Sequence, residues 1–117
     1  MAITKLNENK IENVNTVSGE IVFATATIAD GFQIPFMGKD YKTLILIKGG
    51  SAVGEMNFLM GNSIQGITDL KVSVPAGKTI AITLDSGSFK NVTGEFKGYV
   101  LAKPSVADIS VAVVELA

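Results

Sequence analysis

Leu70-Lys-Val-Ser-Val-Pro-Ala-Gly-Lys-Thr-Ile-Ala-Ile-Thr-Leu84 alternates apolar and polar residues on both sides of a Pro75-Ala76-Gly77 turn. Leu70, Val72 and Val74 point one way and Lys71 and Ser73 the other; beyond the turn, Ile80, Ile82 and Leu84 oppose Thr79, Ala81 and Thr83. A period of two is the signature of a half-buried strand, so the stretch predicts two strands joined as a hairpin with one wet face.

The same period extends in both directions. Towards the amino end, Met56, Phe58 and Met60 alternate with Glu55 and Asn57, and Thr43-Leu-Ile-Leu-Ile47 is apolar on both pleats. A strand of the latter kind suits a position covered by a second sheet on one face and by a loop or a partner subunit on the other. A further strand is expected at Ile21 to Ile28. Phe32-Gln-Ile-Pro-Phe36 is expected on an edge or in a loop, because Pro35 has no N–H for a ladder. Towards the carboxyl end, strands are expected at Ser88 to Val92, Gly98 to Ala102 and Asp108 to Leu116, separated by Asp85-Ser86-Gly87, Thr93-Gly94-Glu95 and Lys103-Pro104-Ser105. No window shows the three-four spacing of an amphipathic helix. About eight strands at regular spacing predict an all-β, single-domain antiparallel β-sandwich, jelly-roll-like or Ig-like, over residues 19–117. Residues 1–18 read as a polar, asparagine-rich, extended N-terminal arm.

The 117-residue chain is long enough to bury roughly two-thirds of its unfolded surface. With no cysteine and 47% hydrophobic residues, its core alone must hold it. A net charge of -1 and ten scattered basic residues provide no stripe for a phosphate backbone, so nucleic acid is not an expected partner. No apolar run reaches the roughly 20 residues of a membrane helix, so no membrane partner is expected either, and no export signal is recognised at Met1 to Lys10.

The chemistry-bearing candidates are few. Ala76-Gly77-Lys78-Thr79 matches the end of a phosphate-binding loop, but the box also needs a glycine at position 72, which is Val72, and a helix after Thr79, where a strand pattern follows. The absence of histidine and cysteine removes the usual proton shuttle, thiol nucleophile and transition-metal ligands. Asp30, Asp40, Glu55, Asp69, Asp85, Glu95 and Asp108 fall mainly at turns or on wet faces, without calcium-loop spacing. The expectation is a chain that is not an enzyme and carries no cofactor and no metal. Asn91-Val92-Thr93 is a sequon by spelling only. Phe32, Ile34, Phe36 and Met37 put large apolar groups beside Pro35 and Gly38; they are read first as a core plug and second as a subunit contact.

Tyr41-Lys-Thr-Leu-Ile-Leu-Ile-Lys48, Gly61-Asn-Ser-Ile-Gln-Gly-Ile-Thr-Asp-Leu70, Val74-Pro-Ala-Gly-Lys-Thr79, Leu84-Asp-Ser-Gly-Ser-Phe-Lys-Asn-Val-Thr-Gly94 and Ala107-Asp-Ile-Ser-Val-Ala-Val-Val-Glu-Leu116 together resemble a group of small virion proteins of tailed phages and prophages of Gram-positive bacteria. The resemblance covers roughly the last two-thirds of the chain. It implies a non-enzymatic head-decoration or auxiliary capsid protein, made in the host cytoplasm and carried on the virion. Its partner would be the phage major capsid protein, and it would form a symmetric homo-oligomer, a trimer first. The arm would dock on the capsid or a neighbouring subunit, with Ile3, Leu6, Ile11 and Val14, together with Phe32, Ile34, Phe36 and Met37, as the contact residues. A tail-associated structural domain and a carbohydrate- or peptide-binding module built on Tyr41 or Tyr99 are the alternatives.

Overall fold

A computed structural model describes residues 3–11, 13, 15, 17, 21–36, 42–62 and 68–116. Among these, ten strands and one short helix run in the order β1 (Thr4–Lys5), β2 (Glu8–Lys10), β3 (Ala24–Thr25), β4 (Phe32–Pro35), β5 (Thr43–Lys48), β6 (Gly54–Phe58), β7 (Leu70–Val74), β8 (Thr79–Ile82), α1 (Ser86–Phe89), β9 (Tyr99–Pro104) and β10 (Ser110–Glu115). They form two mixed sheets. The first has the order β1-β4-β9-β6-β7; the second has β2-β10-β5-β8, with β3 also on β10. The Cα radius of gyration, 13.6 Å, is that of one compact domain of this length, for which about 13.4 Å is expected.

Alternation determines which residues meet between the sheets. Phe32 and Ile34 of β4, Met56 and Phe58 of β6, Val74 of β7 and Val100 of β9 are fully buried from the first sheet, as are Ile45, Ile47, Val111 and Val113 from the second. All belong to one core. Lys71 and Ser73, on the opposite pleat of β7, are exposed, as the period of two requires. On β5 the outward residues Leu44 and Leu46 are half-buried, whereas Ile45 and Ile47 are sealed.

The sequence reading is corrected in its pairings. The two strands either side of Pro75-Ala76-Gly77 do not form a hairpin: β7 pairs with β6 in the first sheet and β8 with β5 in the second. The turn carries the chain across the core. It is held there by a second crossing, Gly49-Gly50 between β5 and β6: Gly49 N–H donates to Lys78 O (2.8 Å) and Gly77 N–H to Gly50 O (2.9 Å). A Cβ on Gly49 would lie 2.0 Å from Pro75 O, so only glycine admits this contact, and Gly77 adopts a left-handed φ of 69°. Alternation along a strand reports its faces and is silent about its neighbour, which explains the error.

Phe32–Pro35 is an inner strand, between β1 and β9. Phe36 N–H donates to Gly98 O and Leu6 N–H to Gln33 O, so the pleat turns the nitrogens of residues 33 and 35 towards β1. Pro35 has no N–H to offer there, and β1 parts from β4 at that point, its pairs ending at Lys5–Gln33. The strand expected at Ile21 to Ile28 is reduced to Ala24–Thr25. The one expected at Ser88 to Val92 starts as a helical turn instead, because the Asp85 carboxylate caps Ser88 N–H at 3.2 Å.

Four antiparallel pairs nest one inside another: β3 with β10, β4 with β9, β5 with β8, and β6 with β7. The antiparallel contacts β10–β5 and β6–β9 join these pairs into sheets. The strands β1 and β2 are additions to this scheme, each joined in parallel.

Candidate functional site

The N-terminal segment straps the two sheets together. β1 lies on β4, and after Leu6 and Asn7 the chain passes to the other sheet, where β2 lies on β10 in the register Glu8–Val113, Asn9–Val114 and Lys10–Glu115. Asn9 Nδ2 donates to Val113 O at 2.9 Å, and Ile11 N–H to Glu115 O at 2.9 Å. Leu6, at the crossing, is 5% exposed and belongs to the core. The apolar residues of an arm that sequence reasoning aimed at another subunit are therefore divided. Leu6 is taken up by its own chain, Ile3 and Ile11 are half-buried, and Val14 lies outside the described residues.

The loop cluster resolves in the same direction. Phe32, Ile34 and Phe36 are all at 0% exposure, so they fill the core and offer no surface to a subunit or capsid. Met37 and Tyr41 lie outside the described residues.

Where β2 meets β10, Glu8 and Glu115 approach one another. Glu8 Oε2 and Glu115 Oε2 are shielded from solvent without a hydrogen-bond partner among the described residues. Lys10 Nζ stands 3.8 Å from Glu115 Oε2, an ion-pair distance beyond hydrogen-bond range. Burial first, and then contact with the Glu115 carboxyl, push the Glu8 carboxyl above its ordinary value, while Lys10 pulls the other way.

Other acidic residues organise loops. Asp30 receives the Thr27 hydroxyl at 2.8 Å, and Asp69 receives Met60 N–H at 2.7 Å. Asp108 receives both the N–H and the hydroxyl of Ser51 at 2.8 Å, and these bonds, the backbone one first, hold its carboxyl below the usual range. Asp40 lies outside the described residues. No group of three or more acidic side chains that could hold a metal ion occurs among the described residues. In Ala76-Gly77-Lys78-Thr79, Gly77 N–H is bound to Gly50 O, so a donor that a phosphate would need is already engaged. Asn91 Nδ2 likewise donates to Tyr99 O at 3.0 Å.

Two features of the outer surface were not visible in the sequence. On the first sheet, Lys71, Asn57 and Lys103 stand in register across three strands beside a hollow of about 280 Å³, and Asn57 Oδ1 has no hydrogen-bond partner among the described residues. Lys5 Nζ sits 5.3 Å from the centre of the Tyr99 ring, within cation–π range. The Lys-x-Asn-x-Lys row could not be found by pattern because its members come from β7, β6 and β9. Comparison with protein-family models, with curated proteins and with solved structures finds no match to this chain.

Proposed function

We propose that this chain is a jelly-roll sandwich that serves as a non-enzymatic structural protein of a phage virion, bound to the outside of the capsid through the major capsid protein. The observation that carries the reading is the nesting of β3–β10, β4–β9, β5–β8 and β6–β7. A double-stranded ribbon rolled on itself produces this order, with eight strands in two sheets, and virion proteins are among the principal users of that architecture. The strap adds to the argument. A strand pair that ties both sheets at the amino end stiffens a small domain whose role is mechanical, and the Asp69 and Asp108 carboxylates are engaged in loop hydrogen bonds.

A second reading has its own observation. Jelly rolls also serve as lectins, and the Lys71 and Lys103 ammonium groups that flank Asn57 beside an open hollow offer donors to a sugar hydroxyl.

The test uses the full chain. Purified protein is mixed with capsids of the encoding phage or prophage prepared without it, and the mixture is sedimented and imaged by electron microscopy. Co-sedimentation at a fixed stoichiometry with new density on the outer capsid surface is the expected result. Absence of binding, or density confined to the tail, refutes it. Glycan-array binding without capsid binding would transfer the assignment to the lectin reading.

A further inference from the structure

The second sheet ends at β8, and that edge has features of an unfinished interface. Because Gly49 N–H donates to Lys78 O in a continuous antiparallel register, the Lys78 carbonyl and the backbone groups of Ile80 and Ile82 are directed to β5. Thr79, Ala81 and Thr83 direct theirs outward, and no described residue pairs with them. Their side chains are small and exposed. Ile80 and Ile82 point into the core yet are only half-buried, whereas Ile45 and Ile47 opposite them are at 0% exposure. The other sheet's outer strands, β1 and β7, carry Lys5 and Lys71, charges of the kind that block edge pairing; β8 has none.

We infer that β8 pairs antiparallel with β8 of a second copy of this chain about a two-fold axis through Ala81, joining the two second sheets into one. This goes beyond the virion reading and does not depend on it. A two-fold axis perpendicular to a sheet must bring residues of the same face together, so the register sum is even. Centred on Ala81, it sets Thr79 against the second copy's Thr83, Ile80 against Ile82 and Ala81 against Ala81. Threonine–threonine and aliphatic pairs are favourable cross-strand neighbours. No like charges face one another in this register. The half-buried Ile80 and Ile82 would each gain an aliphatic neighbour from the second copy, and the contact is isologous and closed.

Because the chain contains no cysteine, single-cysteine variants report the register directly. A hydrogen-bonded antiparallel pair has its Cα atoms about 5.5 Å apart, within the disulfide range. Under mild oxidation Ala81→Cys is expected to give a disulfide-linked dimer. Thr79→Cys alone should not crosslink, but a mixture of Thr79→Cys with Thr83→Cys should. By light scattering the unmodified chain is expected at twice 12.3 kDa. Ala81→Lys, which places two ammonium groups face to face, should weaken the dimer about tenfold or more. Ala81→Pro should do the same, since it removes an N–H that β5 does not use. Both should retain the far-ultraviolet circular dichroism of the parent. A parent that stays at monomer mass up to about 1 mM, a trimer, a dimer indifferent to Ala81→Lys, or crosslinking by Thr79→Cys alone as fast as by Ala81→Cys would overturn the inference.

Discussion

Replacing Gly49 by alanine tests whether the two stacked crossings hold the sheets in place. The added methyl would lie 2.0 Å from Pro75 O and 3.1 Å from Pro75 C, both backbone atoms that cannot rotate away. Relief requires the 75–78 turn to withdraw from the 49–50 turn, which breaks the Gly49–Lys78 and Gly77–Gly50 hydrogen bonds. Each such bond contributes about 1 kcal/mol net, and of the four residues only Gly49 is buried, so its unsatisfied N–H adds about 1 kcal/mol more and a loss of about 3 kcal/mol is expected. For a chain of this length the unfolding entropy is about 0.25 kcal/mol per kelvin, so the melting temperature should fall by about 12 °C. Gly77→Ala is the control. Its φ of 69° is unfavourable for alanine, but a Cβ there meets nothing within 4 Å, so only the conformational term of about 1 kcal/mol, or about 4 °C, applies. Calorimetry and urea unfolding of both variants measure the difference. If Gly49→Ala costs no more than Gly77→Ala, the crossings do not lock the sheets and the reasoning fails.

Leu6→Ala should cost about 2–4 kcal/mol, because Leu6 is 5% exposed at the point where the strap passes between the sheets, and urea unfolding should show it as a lowered midpoint. Glu8 is held above its ordinary value of 4.5 in the fold, so the folded state binds more protons; that contribution is complete below 4.5 and is lost as pH rises through the raised value. Glu8→Gln should therefore flatten the decline in urea midpoint on the alkaline side of 4.5; an unchanged profile would show that the Glu8–Glu115 contact does not govern it. Asp85→Ala removes the cap on Ser88 N–H and should cost about 1 kcal/mol, read as a melting-temperature decrease of about 4 °C.

The interface candidates show how composition can mislead about position. Phe32, Ile34 and Phe36 stand close together beside a proline, which reads equally as a plug or as a contact surface. Only the arrival of β9 on one side and β1 on the other decides for the plug. Leu6 is similar: one apolar residue in a polar stretch carries no local signal of burial, yet it lies where the chain changes sheets. The Lys71, Asn57 and Lys103 row and the Glu8–Glu115 contact join residues from different strands, at separations in sequence that no motif spans.

Local pattern was enough to establish that the chain is β-rich, where most strands lie, which pleat of β6, β7 and β8 faces the core, and that Pro75-Ala76-Gly77 turns it. Those properties depend on the chirality and pleat of a few consecutive residues, and they are written along the chain. Which strand lies beside which was decided only in three dimensions. The stretch Leu70–Leu84 alternates as a hairpin would, yet its halves belong to opposite sheets: β7 takes its partner in β6 and β8 in β5, and the turns at 49–50 and 75–78 dock on one another. Pairing is a property of contacts between distant segments, and no period within one segment can encode it.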